Sequence, residues 1–416
     1  MSRILDVYLH AIYAGKLLQN NSGSLSFTYD KDYVNKNLPQ LSVSLPLSLD
    51  QYIGDKVKAF FAGLLPDDFL RHKLARYLGV SEKNAFALLE IIGGECAGAV
   101  SVYPQGQDIP KTKSKDVEIL DDYKLKEIIN LLKNRPFLVG NKDLRLSLAG
   151  AQDKIAVGLK DNKIALIKGT SPTTHILKPT IDDITDSVHN EFFCMRLAGM
   201  VGINVPFVYM RYIGSMPYFL IQRYDRMQDN SGHIKRVHQE DFCQALGILP
   251  EIKYEREGGP SFNQCQEIIK INTKRPAADQ ITLLNLIIYN YFIGNMDAHG
   301  KNFSLLYKDK RPELAPAYDL LSTAIYPELS NKMAMKIGSK YKPEHVFVRH
   351  WYSLVPDTKV AKKNLEKNLL SLSYNCIEKA YCLKDDLKRE GVTSIIFKKI
   401  CSYIEKQAKH IRNELQ

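Results

Sequence analysis

Short apolar runs with strand-like alternation fill the first hundred residues, whereas the last two hundred repeat apolar positions at helical spacing. Leu5-Asp6-Val7-Tyr8-Leu9, Ser24 to Tyr29 and Leu41 to Leu47 read as β-type runs. Two helices follow, one around Lys56, Phe60, Phe61, Leu64 and Leu65 and one from Phe69 to Tyr77. Gly93 to Val100 is a glycine-rich turn entering a strand. Pro104 to Glu118 is polar and without periodicity, which sets a first small α/β unit at residues 1–105 and a linker at 106–118.

A second strand-rich unit is expected over 119–225. Ile155 to Leu159 and Ile164 to Ile167 form a strand pair turning at Asp161-Asn162. Thr174 to Pro179 is a further strand, Ser187 to Leu197 a helix, and Pro206 to Ile213 and Pro217 to Ile221 complete a five-stranded lobe joined at Gly214-Ser215. A helical lobe, 226–416, opens at His238 to Gln244 and contains the apolar helix Ile281 to Ile293. It ends in two basic amphipathic helices, with Leu365, Leu369, Ile395, Ile396, Ile400 and Ile404 turned inward. The fold class is α+β, in two lobes.

The helix ending at Ile293 delivers Gly294-Asn295-Met296-Asp297-Ala298-His299-Gly300-Lys301-Asn302. The spacing Asp-x4-Asn matches the catalytic loop of protein kinases, where the Asp accepts a hydroxyl proton and the Asn ligates magnesium. Asp319, one hairpin further on, stands where a kinase keeps its second magnesium ligand. Upstream, the small-residue loop Ser147-Leu148-Ala149-Gly150-Ala151-Gln152-Asp153-Lys154 offers backbone N–H groups and the Lys154 charge to phosphate oxygens. Lys178 at a strand end, with Glu191 on the next helix as its partner, takes the form of the kinase lysine that holds the α- and β-phosphates. Gln222-Arg223-Tyr224-Asp225 is the hinge whose backbone would read an adenine edge. Taken singly, each has a plainer reading as a turn cap, a hairpin entry or a solvated strand edge. It is the order, loop then Lys, Glu, hinge, Asp-x4-Asn and Asp, each on the element its task needs, that points to phosphoryl transfer from ATP.

Composition narrows the rest. The 416 residues are 45% hydrophobic and 25% charged, as in a globular protein with a large core. No apolar run reaches membrane-span length and the first residues lack a secretory pattern, so a cytoplasmic location without membrane contact is expected. Seven scattered cysteines, none spaced C-x-x-C, exclude an evident zinc site and point to reduced thiols. The net charge of +11 suits contact with nucleic acid or acidic proteins, and equally an ordinary basic surface.

Fragments spread over nearly the whole chain resemble the HipA family of serine/threonine kinase toxins. They are Ser44-Leu45-Pro46-Leu47, Leu64-Leu65-Pro66-Asp67, Gly98-Ala99-Val100, Ser147 to Lys154, Thr173-Thr174-His175-Ile176, Asn190-Glu191, Gln239-Glu240-Asp241, Asp297-Ala298-His299, Lys301-Asn302-Phe303-Ser304 and Tyr318-Asp319. The resemblance implies a two-lobed kinase-like fold related to the phosphatidylinositol kinases. It makes Asp297 the base, Asn302 and Asp319 the magnesium ligands and Lys178 the phosphate lysine. His299 and Lys301 would support the loop and the transferred phosphate, and Gln239 would support the site. Ser147 would be an autophosphorylated serine whose phosphate silences the enzyme. The implied partners are a helix-turn-helix antitoxin of the HipB kind, operator DNA through that complex, and a protein substrate such as an aminoacyl-tRNA synthetase. Two other readings remain: a small-molecule or lipid kinase, and a kinase-shaped corepressor working with the antitoxin on DNA.

Overall fold

Leu5, Val7 and Leu9 are fully buried, and this alternation makes β1 (Arg3–Leu9) an inner strand. It lies between β2 (Ile12–Gln19) and β5 (Val100–Pro104) in an antiparallel sheet that β3 (Leu25–Tyr29) and β4 (Tyr52–Ile53) extend, in the order β4-β3-β2-β1-β5. The short α1 (Lys31–Asn35) follows β3, and α2 (Asp55–Gly63) supplies Phe60 and Phe61, α3 (Asp68–Leu78) Leu70 and Leu74, and α4 (Ala85–Ile92) Phe86 to the core beside Phe27. The computed structural model describes residues 2–107, 117–132, 150, 152–167 and 171–415.

Leu41 to Leu47, expected as a strand, is instead a turn with one bridge between Ser42 and Leu45. The cause is polar. Tyr29 Oη donates to the Leu45 carbonyl at 2.6 Å and accepts from the Leu41 N–H at 2.8 Å, and Ser42 and Ser44 are buried with side-chain partners outside any ladder. Alternating Leu and Ser mimics a strand, but here both sets are buried.

A second sheet runs β10-β11-β9-β7-β8-β6, from β6 (Val117–Ile119), β7 (Ile155–Lys160), β8 (Lys163–Ile167), β9 (His175–Pro179), β10 (Val208–Ile213) and β11 (Met216–Gln222). It has six strands rather than the expected five, because the three-residue β6, too short to register as a pattern, pairs with β8. Helix α5 (Asp122–Leu132) buries Leu125, Ile128, Ile129 and Leu132. The hairpin β12 (Arg226–Gln228) and β13 (Ile234–Arg236) precedes β14 (His238–Asp241) and α7 (Phe242–Leu246). Residues 238–241 thus form a strand before the helix expected there, in a sheet with β15 (Ser304–Tyr307) and β16 (Glu313–Leu314). The strand ends where Asp241 becomes the N-cap of α7, in a capping box with Gln244.

Two compact units result: Met1–Pro179 with Arg211–Lys253 and Ser304–Ala315, and Thr180–Met210 with Tyr254–Phe303 and Pro316–Gln416. The second unit is helical: α6 (Ser187–Met200), α8 (Phe262–Asn272), α9 (Pro276–Ile293), α10 (Val348–Trp351), α11 (Lys359–Arg389) and α12 (Ile395–Leu415). α9 is its axis. Leu283, Leu286, Ile287, Ile288, Tyr289, Tyr291, Phe292 and Ile293 are all buried, and α8, α11 and α12 pack against the helix. Phe193 stacks on Phe397 at 4.9 Å between centroids, and Trp351 meets Tyr291 edge-on at 5.3 Å. Leu365, Leu369, Ile396, Ile400 and Ile404 face inward as expected, but Ile395 is 61% exposed. The buried stripe of α12 is set by Ile396, Phe397, Ile400, Cys401 and Ile404, which turns the preceding residue to solvent. Among the described residues no helix is long and apolar enough to cross a membrane.

Candidate active site

The catalytic loop begins where α9 stops. Gly294 takes a left-handed conformation (φ 73°), and its N–H caps the carbonyls of Asn290 and Tyr291. A Cβ there would lie 2.6 Å from the Tyr403 ring and 2.8 Å from Ala324 Cβ, so only glycine fits. Immediately after it the chain is stitched to residues 319–324. Asn295 Nδ2 donates to Asn290 Oδ1 at 2.9 Å and to the Asp319 carbonyl at 3.4 Å. The Met296 N–H donates to Thr323 Oγ1 at 2.7 Å, and the Thr323 and Ala324 N–H groups both donate to the Gly294 carbonyl at 3.0 Å. Asn190 of α6 fixes the same segment from the other side, donating to the Ser322 carbonyl at 2.9 Å and accepting its N–H at 2.8 Å.

Within the loop, Asp297 is half-buried. Its carboxylate Oδ1 accepts from the Tyr254 hydroxyl at 2.6 Å, while the Tyr254 ring stands edge-on to His299 at 5.3 Å. The Asp297 carbonyl accepts the His299 N–H at 2.8 Å and Asn302 Nδ2 at 3.1 Å. That last bond assigns the Asn302 amide: its nitrogen is engaged and its oxygen Oδ1 is the end left to coordinate. His299, Lys301 and Asn302 are buried, and Tyr318 Oη donates to the Lys301 carbonyl at 2.7 Å. Asp319 sits at φ 58°, a left-handed position that Asp tolerates better than most residues.

Asn302 Oδ1 and the Asp319 carboxylate are hard oxygen donors, the kind magnesium uses with phosphate oxygens and water. Among the described residues no group of three His, Cys, Asp or Glu gathers as a metal site. Two protein oxygens suit a cation that arrives with its nucleotide, and they do not form a dedicated cage.

The candidate nucleotide residues lie in the first unit. Gly150 (φ 103°) presents its carbonyl to the Asp67 N–H at 3.2 Å, and a Cβ on it would meet Lys154 Nζ at 2.4 Å. Gln152 Nε2 donates to the Pro179 carbonyl at 3.1 Å, and Asp153 pairs with Lys73 of α3 at 3.2 Å. Ala149, Ala151 and Ser147 lie outside the described residues. Lys178 is buried on β9, opposite Phe219 of β11, with Nζ 5.9 Å from that ring. Glu191 is buried on α6 in the second unit.

In the hinge, Gln222 ends β11 and is exposed. Arg223 and Asp225 are locked to each other by two hydrogen bonds of 2.9 and 2.8 Å. Glu95 pairs with Arg226 at 2.7 Å and Arg223 at 3.5 Å, and the Gly98 N–H donates to Asp225 at 2.7 Å. Burial opposes charge on Asp225, but Arg223 and Arg226 outweigh it and hold the carboxyl well below its ordinary range. The Arg223 and Asp225 side chains are thus taken up in this buried cluster. Tyr224 Oη donates to Gln239 Oε1. Sequence reasoning missed Asn190 as a support, as well as Asn295, Thr323 and Tyr254. Asn295 and Thr323 are legible only as polar residues beside the motifs, and nothing in Lys253-Tyr254-Glu255 marks Tyr254.

The fold is α+β of the kinase-like type, with a tyrosine-bound aspartate and a backbone-tethered asparagine amide on one helix-capping loop. The chain belongs to the HipA family: residues 5–103 match the HipA N-terminal domain and residues 146–379 the HipA-like C-terminal domain. It is 38% identical over 414 residues to Y4mE of Sinorhizobium fredii, covering 99% of each chain. It is 29% identical over 385 residues to the serine/threonine-protein kinase toxin HipA of Shewanella oneidensis, covering 89% of this chain and 86% of that one. The fold matches the Shewanella oneidensis HipA structure solved with HipB and its operator DNA, with a TM-score of 0.84 at 24% identity, over 99% of this chain and 98% of that one.

Proposed function

We propose that this protein is an ATP- and magnesium-dependent protein serine/threonine kinase acting as the toxin of a toxin-antitoxin module. The observation that supports the reading is the bond from Asn302 Nδ2 to the Asp297 carbonyl, which engages the amide nitrogen and leaves the amide oxygen on the loop that also carries the Asp297 carboxylate. Asp297 accepts the proton of the acceptor hydroxyl. Asn302 Oδ1 and Asp319 would hold magnesium, which neutralises charge on the phosphates. Lys178 and Lys154, with the backbone of residues 149–152, hold the ATP phosphates, and the backbone of residues 222–225 takes the adenine edge. Glu191 and Gln239 support these residues, while His299 and Lys301 steady the loop and the transferred phosphate.

Ser147 is the site of a self-inactivating phosphorylation, and a translation component such as an aminoacyl-tRNA synthetase is the protein substrate. A HipB-like helix-turn-helix antitoxin, bound to operator DNA, is the partner. The operator-bound assembly of the Shewanella HipA supports this last part by analogy.

The test is intact mass of the phosphatase-treated chain before and after incubation with magnesium and ATP, beside Asp297→Asn. One added phosphate on the wild type alone, mapped to Ser147, is expected. No addition to either chain despite ATP binding overturns the self-phosphorylating kinase in favour of a corepressor.

A further inference from the structure

Tyr254, which no motif includes, bonds the Asp297 carboxylate from outside the catalytic loop. Its hydroxyl donates to Oδ1 at 2.6 Å, a short, charge-assisted bond. A carboxylate without such a partner rotates about χ2, whereas one held at Oδ1 presents Oδ2 in a fixed direction.

The phenol is itself held firmly. The Tyr254 carbonyl accepts the N–H groups of Glu257 at 2.9 Å and Gly259 at 3.0 Å, closing a tight turn, and Gly258 sits at φ 99°. The next residue, Glu255, is tied to another strand of chain: its N–H donates to the Ala334 carbonyl at 3.0 Å. Its carboxylate accepts the Lys336 N–H at 2.7 Å and pairs with Lys336 Nζ at 3.1 Å. The Arg256 guanidinium lies 5.3 Å from the Tyr254 ring centroid, and His299 meets the ring edge-on at 5.3 Å. A side chain fixed by its backbone, its neighbour's ion pair and two ring contacts spends little freedom in making the bond.

We infer that Tyr254 is a positioning residue for phosphoryl transfer: its hydroxyl fixes Asp297 through Oδ1 so that Oδ2 faces the acceptor hydroxyl. The inference rests on the kinase reading above. The phenol acts through Asp297, so its loss slows the chemical step and leaves nucleotide binding alone.

The experiment compares wild type, Tyr254→Phe and Asp297→Asn. It follows single-turnover incorporation of phosphate from labelled Mg-ATP into the phosphatase-treated full-length chain, at a series of ATP concentrations. Binding of a fluorescent ATP analogue and thermal unfolding are measured alongside. Phenylalanine keeps both ring contacts, so Tyr254→Phe is expected to fold and to bind nucleotide as the wild type does. Its half-saturating ATP concentration should stay within twofold while the limiting rate falls at least tenfold.

A limiting rate within twofold of wild type, with Asp297→Asn inert, overturns the role of Tyr254 and leaves the kinase reading standing. A rate loss matched by an equal loss of nucleotide affinity or by a lowered melting temperature makes Tyr254 merely structural and overturns the role as well. Wild type that incorporates nothing while binding nucleotide overturns both readings, since there is then no reaction to position.

Discussion

Asn302 donates its Nδ2–H to the Asp297 backbone carbonyl at 3.1 Å, so the side chain proposed for the metal is oriented by the residue proposed as the base. An Asp at 302 could not donate, and its carboxylate would face that carbonyl as a second acceptor. Asn302→Asp should therefore lose phosphate transfer by about 100-fold or more and raise the magnesium concentration for half-maximal rate about tenfold or more, in line with the cost of disturbing a metal ligand's support. Titrating magnesium against the rate of phosphate incorporation checks this. A variant with wild-type magnesium dependence would show that the amide does not serve the cation.

Gly294 places the whole loop. Any side chain there is strained twice, by a left-handed φ of 73° and by the Tyr403 ring 2.6 Å from where Cβ would stand. Gly294→Ala should destabilise the protein by about 2–4 kcal/mol, the range of core overpacking added to a backbone misfit. Because its carbonyl also accepts the Thr323 and Ala324 N–H groups, phosphate transfer should fall by more than the loss of folded protein explains. Chemical denaturation and a rate normalised to folded protein separate the two effects.

Gly294 also illustrates what was legible beforehand. An apolar run closed by glycine marks a helix end in any sequence, and Asp297, Asn302 and Asp319 stand out as candidates because their spacing follows from one short loop and one hairpin. Tyr254 carried no such mark, since its bond to Asp297 spans 43 positions and depends on how chain distant in sequence is brought back. The same distinction separates right from wrong in the fold. Leu41 to Leu47 alternates like a strand, but Ser42 and Ser44 are turned to Glu240 and the Gln244 carbonyl, partners nearly two hundred residues away. Ile395 looked like part of the apolar stripe of α12, and only the register set by Ile396 and Ile400 against the core decides that it faces solvent. Local signals survive into the structure, and long-range polar satisfaction does not announce itself.

The buried cluster of Glu95, Arg223, Asp225 and Arg226 gives a third expectation. Arg223, Asp225 and Arg226 are buried, Glu95 keeps only 13% of its side chain exposed, and Glu95 meets both guanidiniums. Glu95→Ala would leave two buried cations sharing one aspartate and should cost about 3–5 kcal/mol, the range for breaking a buried ion pair. The surface pair Lys362 and Asp357, whose aspartate side chain is 92% exposed, makes the contrast: Asp357→Ala should change stability by no measurable amount. Urea midpoints for the two variants test both halves. Equal effects would mean that burial does not set the strength of these pairs.

Glu240 supplies a dependence on pH. Its carboxyl is buried among Ser42, the Val43 N–H and Tyr307, with Asp241 beside it. Burial drives the pKa up to about 7 from the ordinary 4.5; the hydrogen bonds from Ser42, Tyr307 and Val43 pull the other way without restoring it, and Asp241 adds to the rise. Between those two values the folded chain holds a proton on Glu240 that the unfolded chain has lost. Folding is then linked to proton uptake, so this group's contribution is most favourable below about 4.5, weakens as pH rises through 7, and is flat above that. Glu240→Gln removes the titration. Its amide can donate to Ser42 Oγ, while its oxygen still accepts from Val43 and Tyr307. The variant's stability should lack the part of the wild-type decline between pH 5 and pH 8 that Glu240 causes, a difference on the order of 2 kcal/mol over that span. Urea unfolding of both proteins across the range checks it. Parallel curves would show that Glu240 is ionised in the folded state throughout, with its charge carried by Ser42, Val43 and Tyr307.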